Sequence, residues 1–139
     1  LKTKKIDITV NADDLTHSSD GFPNEFAQVI LNLVKNAADA YDNIEVDKKQ
    51  IVISLSTIEI SKILYNQVTI QDYAGGIPST IMDKIFDSHF TTKESSEGTG
   101  IGLNMSKQII ECNMDGKLGV MNNDEGALFI IRLPKFSLH

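Results

Sequence analysis

The chain has 139 residues, 41% of them hydrophobic, which fits one domain with a sizeable core. Its net charge of -6 argues against nucleic-acid binding, which needs clustered Lys and Arg; the one basic run, Lys2 to Lys5, reads as a frayed terminus. A single cysteine excludes a disulfide framework, and neither a membrane-span-length apolar run nor a signal peptide is present, so a cytoplasmic compartment is expected. The chain opens at Leu1 without an initiator Met, which suggests a piece cut from a longer protein.

In chain order, "KIDITV" alternates as a short strand, and "DDLTHSSDGFP" is a loop closing on Pro23 near a helix start. From Asn24 to Tyr41, apolar residues at Phe26, Val29, Ile30, Leu33, Val34, Ala37 and Tyr41 have the spacing of a helix with one face in a core. "QIVISLSTIEI" and "YNQVTIQD", joined through Ser61 to Leu64, look like an antiparallel pair. "PSTIMDKIF" is a short helix, "DSHFTTKESSEGTG" a polar connection and "IGLNMSKQIIECN" a second long helix with Cys112 as a buried, inert thiol. "GKLGVMN" and "ALFIIRLP" then form a hairpin around Asn122 to Gly126. Mixed element order without regular βαβ alternation predicts an α+β two-layer sandwich, with helices on one face of a mixed, mostly antiparallel sheet, in a single domain spanning 1–139.

Three constellations carry chemistry. Gln28, Asn32 and Asn36 share one face of an otherwise greasy helix. They are either a solvated stripe or, for Asn36, a carboxamide oxygen offered to a hard cation such as Mg²⁺. Asp72 ends an apolar strand and is followed by Gly75, Gly76, Ile77 and Pro78. A carboxylate there can accept a hydrogen bond from an exocyclic amine such as that of adenine while the glycines admit a flat ring, although a turn with an Asp cap uses the same residues. Gly98, Thr99, Gly100, Ile101 and Gly102 run straight into a helix, where backbone N–H groups and the helix dipole attract phosphate. No Lys completes a P-loop, and Leu103 stands where a dinucleotide fingerprint needs glycine, so a plain helix-entry loop is the equal alternative.

Taken together, Asn32-Leu-Val-Lys-Asn36-Ala, Asp72-Tyr-Ala-Gly75-Gly76-Ile77-Pro78, Ile85-Phe86-Asp-Ser-His-Phe90-Thr91-Thr92-Lys93 and Gly98-Thr-Gly100-Ile-Gly102-Leu103 stand in the order of the N, G1, F and G2 boxes. From about residue 6 to about residue 134, the chain resembles the catalytic ATP-binding domain of a two-component sensor histidine kinase, within the superfamily of DNA gyrase, heat-shock chaperone and mismatch-repair ATPases. The resemblance implies a Bergerat-type sandwich with ATP between the first long helix and the connection after Pro78. By the same resemblance Asn36 is the Mg²⁺ ligand, Asn32 a polar neighbour of the phosphates and Asp72 the reader of the adenine amine. Gly98, Gly100 and Gly102 wrap the phosphates, with Thr99, Ile101, Leu103, Gly75, Gly76, Ile77 and Lys93 also binding nucleotide. Residues 79–97 form the ATP lid, anchored by Phe86 and Phe90.

In the gyrase and chaperone branches a Glu stands four residues before the magnesium Asn as general base; here that position is Asn32, whose amide has no useful proton affinity. The resemblance therefore implies γ-phosphate transfer to a histidine on a separate dimerisation domain, and from there to a response regulator receiver domain. Neither His17 nor His89 has an acidic residue following it on a helix, and His139 ends the chain, so the phosphoacceptor lies elsewhere. The isolated domain is expected to be a monomer and the full kinase a homodimer, with a membrane anchor on the parent an open matter. Ala74, where the first G1 glycine is usual, keeps a second reading open: a degenerate nucleotide-binding switch without transfer. A serine kinase of the anti-sigma-factor type is the third.

Overall fold

The computed structural model describes residues 6–12, 23–42, 44, 49–87 and 101–134. Among the described residues five strands, β1 (Asp7–Ala12), β2 (Gln50–Ile60), β3 (Ile63–Asp72), β4 (Lys117–Asn122) and β5 (Ala127–Pro134), form one sheet in the order β1-β2-β3-β5-β4. β1 pairs with β2 in parallel and every other pairing is antiparallel, so the mixed, mostly antiparallel sheet expected from the sequence is what forms. Helix α1 (Pro23–Asp39) packs on β2 and β3, and α3 (Ile101–Gln108) packs on α1 and β4; a single helical turn, α2 (Ser79–Met82), follows the β3 exit.

The register makes the core. Ile53, Ile70, Phe129 and Val120 lie side by side across β2, β3, β5 and β4, and Leu55, Val68, Ile131 and Leu118 form the next row. Strand side chains alternate faces, so both rows point to one side, where Val29, Leu33 and Ala37 of α1 are buried against the sheet. Each of the fully buried side chains larger than alanine, such as Val29, Leu33, Ile70, Phe129 and Ile131, contributes about 1.5–3 kcal/mol, which holds the layers together. The other face is mixed: Val52, Leu128 and Ile130 share it with polar residues, among which Arg132 Nε donates to Gln67 Oε1 across β5 and β3 at 2.8 Å.

Several details depart from the expected elements. β2 and β3 are joined by two residues, Ser61 and Lys62, both at positive φ (52° and 71°), the geometry of a tight type I′ hairpin without the usual Asn-Gly. The predicted helix from Pro78 to Phe86 is only α2 followed by turns closed by Lys84 N–H to Ile81 O and Asp87 N–H to Lys84 O. The second long helix stops being α at Gln108 and continues as a five-residue π turn, Ile109–Asn113. Within the α segment Ser106 is buried and Met105 exposed; beyond it the extra residue per turn shifts the helix phase, and Ile110 and Met114 are buried. Cys112, expected inside, faces solvent for the same reason.

Candidate functional site

Asp72 is the last residue of β3, and its side chain points to the helix-covered face, where it is 3% exposed. A buried carboxylate needs donors. Oδ1 accepts the backbone N–H of Ala74 at 3.1 Å and of Ala127 at 3.2 Å, whereas Oδ2 accepts none among the described residues. Burial pushes the carboxyl above its usual range, and the two backbone N–H groups pull against it without cancelling it. The site thus holds one carboxylate oxygen in place and leaves the other free to accept a hydrogen bond from a ligand amine.

The backbone after Asp72 suits close approach. Gly75 and Gly76 sit at φ 97° and 92°, the left-handed region that residues with a Cβ rarely enter. Ala74 does not share that conformation; its φ is negative and its methyl group is buried in the core, so a Cβ is accommodated where the G1 pattern has glycine. Ile77 packs partly against the same core.

Two further elements brace Asp72, and neither was legible in the sequence. Gly126, in the β4–β5 turn, lies so close that a Cβ there would come within 2.5 Å of Asp72 O and 2.6 Å of Oδ1. Gln71 donates from Nε2 to Asp72 O (2.7 Å) and accepts from Asn123 Nδ2 (2.7 Å), tying the strand end to the turn. Tyr41, fully buried after α1, donates to Gln50 O at 2.7 Å and accepts the Tyr73 N–H at 2.8 Å. Its aromatic body fits the apolar periodicity; only the structure shows the hydroxyl joining α1, β2 and the loop after Asp72.

On α1, Gln28 Nε2 donates to Asn32 Oδ1, and Asn32 Nδ2 donates to Ser106 Oγ of α3, both at 3.2 Å. Ser106 is wholly buried, and its neighbour one turn earlier, Gly102, brings α3 close enough that a Cβ would lie 3.8 Å from Asn32 Cγ. The N-terminal turn of α3, with Leu103 partly buried on the core, is therefore seated on the amide face of α1. Asn36, one turn beyond Asn32, is half-buried, and its carboxamide makes no hydrogen bond among the described residues. A carboxamide oxygen without a hydrogen bond among the described residues, one turn from Asn32, fits a Mg²⁺ that takes few protein ligands and is otherwise held by phosphates. Among the described residues no cluster of His, Cys, Asp or Glu could hold a metal alone. Lys93, Gly98, Thr99 and Gly100 lie outside the described residues, as do Phe90 and the side chain of Ile101.

Phe86, before the polar connection, is held from α3. Asn104 Nδ2 donates to its carbonyl at 3.0 Å, Lys107 Nζ stands 4.9 Å from its ring centre, and the ring meets Phe129 edge-on at 6.3 Å. Lys107 also donates to Glu111 Oε2 and Leu118 O, both at 3.1 Å. Burial works against the Glu111 anion, yet the Leu118 N–H and the Lys107 ammonium hold its carboxyl below the usual range. The cleft beside these residues, about 600 Å³, is lined by Lys107, Cys112 and Gly119 but not by Asn32, Asn36 or Asp72, so it is separate from the amide and carboxylate site.

Comparison with known proteins gives a consistent answer. Residues 21–137 match the model of the histidine kinase-, DNA gyrase B- and HSP90-like ATPase family. The two-component sensor PprA of Pseudomonas aeruginosa is 36% identical over 115 residues, which is 82% of this chain but only 12% of that protein. Among solved structures, the nucleotide-free catalytic domain of histidine kinase ThkA superposes with a TM-score of 0.78 at 30% identity, covering 94% of this chain and 79% of that one. A crystal structure of ThkA in complex with response regulator protein TrrA matches at 27% identity and a TM-score of 0.67, over 94% of this chain and 34% of that one.

Proposed function

The chain belongs to the histidine kinase-, DNA gyrase B- and HSP90-like ATPase family, and from that premise we propose that it binds Mg-ATP and donates the γ-phosphoryl group to a histidine on a separate dimerisation domain. Asp72 carries this reading: a buried carboxylate with one oxygen pinned by two backbone N–H groups and the other open, beside left-handed glycines, is built to accept the adenine amine. The amide face of α1 serves the other end of the nucleotide. Asn36 would hold Mg²⁺, which when bound neutralises phosphate charge, and Asn32 would stand near the phosphates with Gly102 and Leu103 of the α3 start. Lys93, Gly98, Thr99, Gly100 and Ile101 complete the proposed set, within a domain of residues 1–139 and a lid at about 79–97.

Asn32 decides between transfer and hydrolysis. Its Oδ1 already accepts from Gln28 and its Nδ2 donates to Ser106, and an amide cannot take a proton from water near neutrality. The γ-phosphoryl group is therefore kept for an acceptor nitrogen: the bond to the β-phosphate oxygen breaks, a nitrogen–phosphorus bond forms, ADP leaves and the imidazole proton passes to solvent. Catalysis rests on positioning and charge neutralisation. The receiver domain of a response regulator would take the phosphoryl group next, in keeping with the complex known for ThkA. Among the described residues no helix is long and apolar enough to cross a membrane, and the domain is proposed to work on the cytoplasmic side. The test is incubation with radiolabelled ATP and a separately supplied histidine-bearing dimerisation domain of a sensor histidine kinase. Acid-labile, base-stable label on that domain is expected; release of free phosphate without protein label would overturn the transfer reading.

A further inference from the structure

We infer that Asn122, the last residue of β4, is a positioning residue of the nucleotide site that locks the Gly75–Ile77 backbone in fixed register with Asp72; this rests on the adenine-binding reading above. The Asn122 carboxamide spans both polar groups of one residue. Its Oδ1 accepts the Ile77 N–H at 2.9 Å and its Nδ2 donates to Ile77 O at 2.7 Å. Reversing the amide would set donor against donor and acceptor against acceptor, so the orientation follows from the pair itself. Among the described residues the backbone of Gly75, Gly76 and Ile77 makes no other hydrogen bond. Two successive left-handed glycines have wide conformational freedom, and this one side chain, reaching across 45 positions of sequence, removes it.

Contact is as close over Gly76, where a Cβ would lie 2.8 Å from Asn122 Oδ1. The same turn grips Asp72 independently, through Asn123 to Gln71, through the Ala127 N–H to Asp72 Oδ1 and through the close approach of Gly126. Residues 122–127 thus hold both halves of the site, the carboxylate and the glycine backbone, against one rigid hairpin. A ring entering beside Asp72 meets a surface already ordered, which spares the ordering entropy at binding.

The test is titration of the chain and of Asn122→Ala and Asn122→Asp with ADP and GDP. Two hydrogen bonds lost from a loop that must be ordered should weaken ADP binding on the order of tenfold and lower the ADP:GDP ratio. Asp matches Asn in size and still accepts from the Ile77 N–H, but it turns a carboxylate on the Ile77 carbonyl. If Asn122 works through both bonds, Asp binds ADP no better than Ala; if it only fills space, Asp restores binding, and the inference falls. Unchanged ADP affinity in Asn122→Ala with a binding wild type also sinks the inference while leaving the adenine site standing. A wild type that binds no adenine nucleotide sinks both. Should Asn122→Ala fail to fold, the Asp variant alone decides.

Discussion

Asp72→Asn separates what the carboxylate does for the ligand from what it costs the fold. In the folded protein Oδ1 accepts two backbone N–H groups at 3.1 and 3.2 Å, and an asparagine oxygen can keep both. The amide NH₂ then takes the place of Oδ2 and points a donor at the adenine amine, itself a donor. A hydrogen bond to a charged group is worth about 1.5–3 kcal/mol, so ADP affinity should drop by about 10- to 150-fold. Guanine presents a carbonyl acceptor at the corresponding position, and the preference for adenine should vanish or reverse. Stability moves the other way. Burial raises the Asp72 carboxyl above its unfolded value, so its contribution to folding is most favourable below that value and is lost as pH rises through the folded one. The nucleotide-free variant should therefore melt no lower than the wild type at pH 7, with any advantage shrinking as the pH is lowered into the carboxylate range. Calorimetric titration with ADP and GDP, together with thermal melts from pH 4 to pH 8, measures both. Undiminished preference for ADP in a folded Asp72→Asn protein would refute the assignment of Oδ2 to the base.

Gly126→Ala should strike Asp72 from behind: its Cβ would meet Asp72 O at 2.5 Å, backbone that cannot swing aside, so a loss of about 1–3 kcal/mol in denaturant unfolding and a larger loss of ADP binding are expected. Asn36→Ala should abolish most of the gain in nucleotide affinity that Mg²⁺ confers while leaving metal-free binding close to wild type; an intact Mg²⁺ effect would remove Asn36 from the ligand role. Glu111 is held below its usual range in the fold, so the stability it adds is present above the unfolded carboxylate value and lost as pH falls through the folded one. Lys107→Met should flatten that part of the acid melting profile, and an unaltered profile would show that Lys107 does not support the Glu111 anion.

The extent of what the sequence discloses follows from the range of the interactions. β2 was readable to its ends because alternation over eleven residues is a local property, and the helix of α1 because its apolar stripe repeats within its own length. The π turn is not legible because an α-period count assumes 3.6 residues per turn, and one inserted residue after Gln108 sends Cys112 outward. Ser61 and Lys62 enter the left-handed region without glycine or asparagine to announce it. Asp72, Asn32 and Asn36 could be singled out because polar residues in apolar segments demand partners. The distant partners of Asp72 and Asn32 could not. The Ser106 that takes the Asn32 amide is 74 positions away and the Ala127 N–H that pins Asp72 is 55 away, distances at which local pattern carries no information. "NNDEG" reads as turn composition whether or not it touches a site, and only the β3–β5–β4 pairing brings it under Asp72 and Ile77.

The most direct measurement is titration of the wild-type chain with ADP and with a non-hydrolysable ATP analogue, each with and without Mg²⁺, beside Asp72→Asn. Saturable binding that tightens with Mg²⁺ and collapses in the variant is the predicted result. An absence of binding at millimolar nucleotide, or binding that ignores both Asp72 and Mg²⁺, would contradict the account.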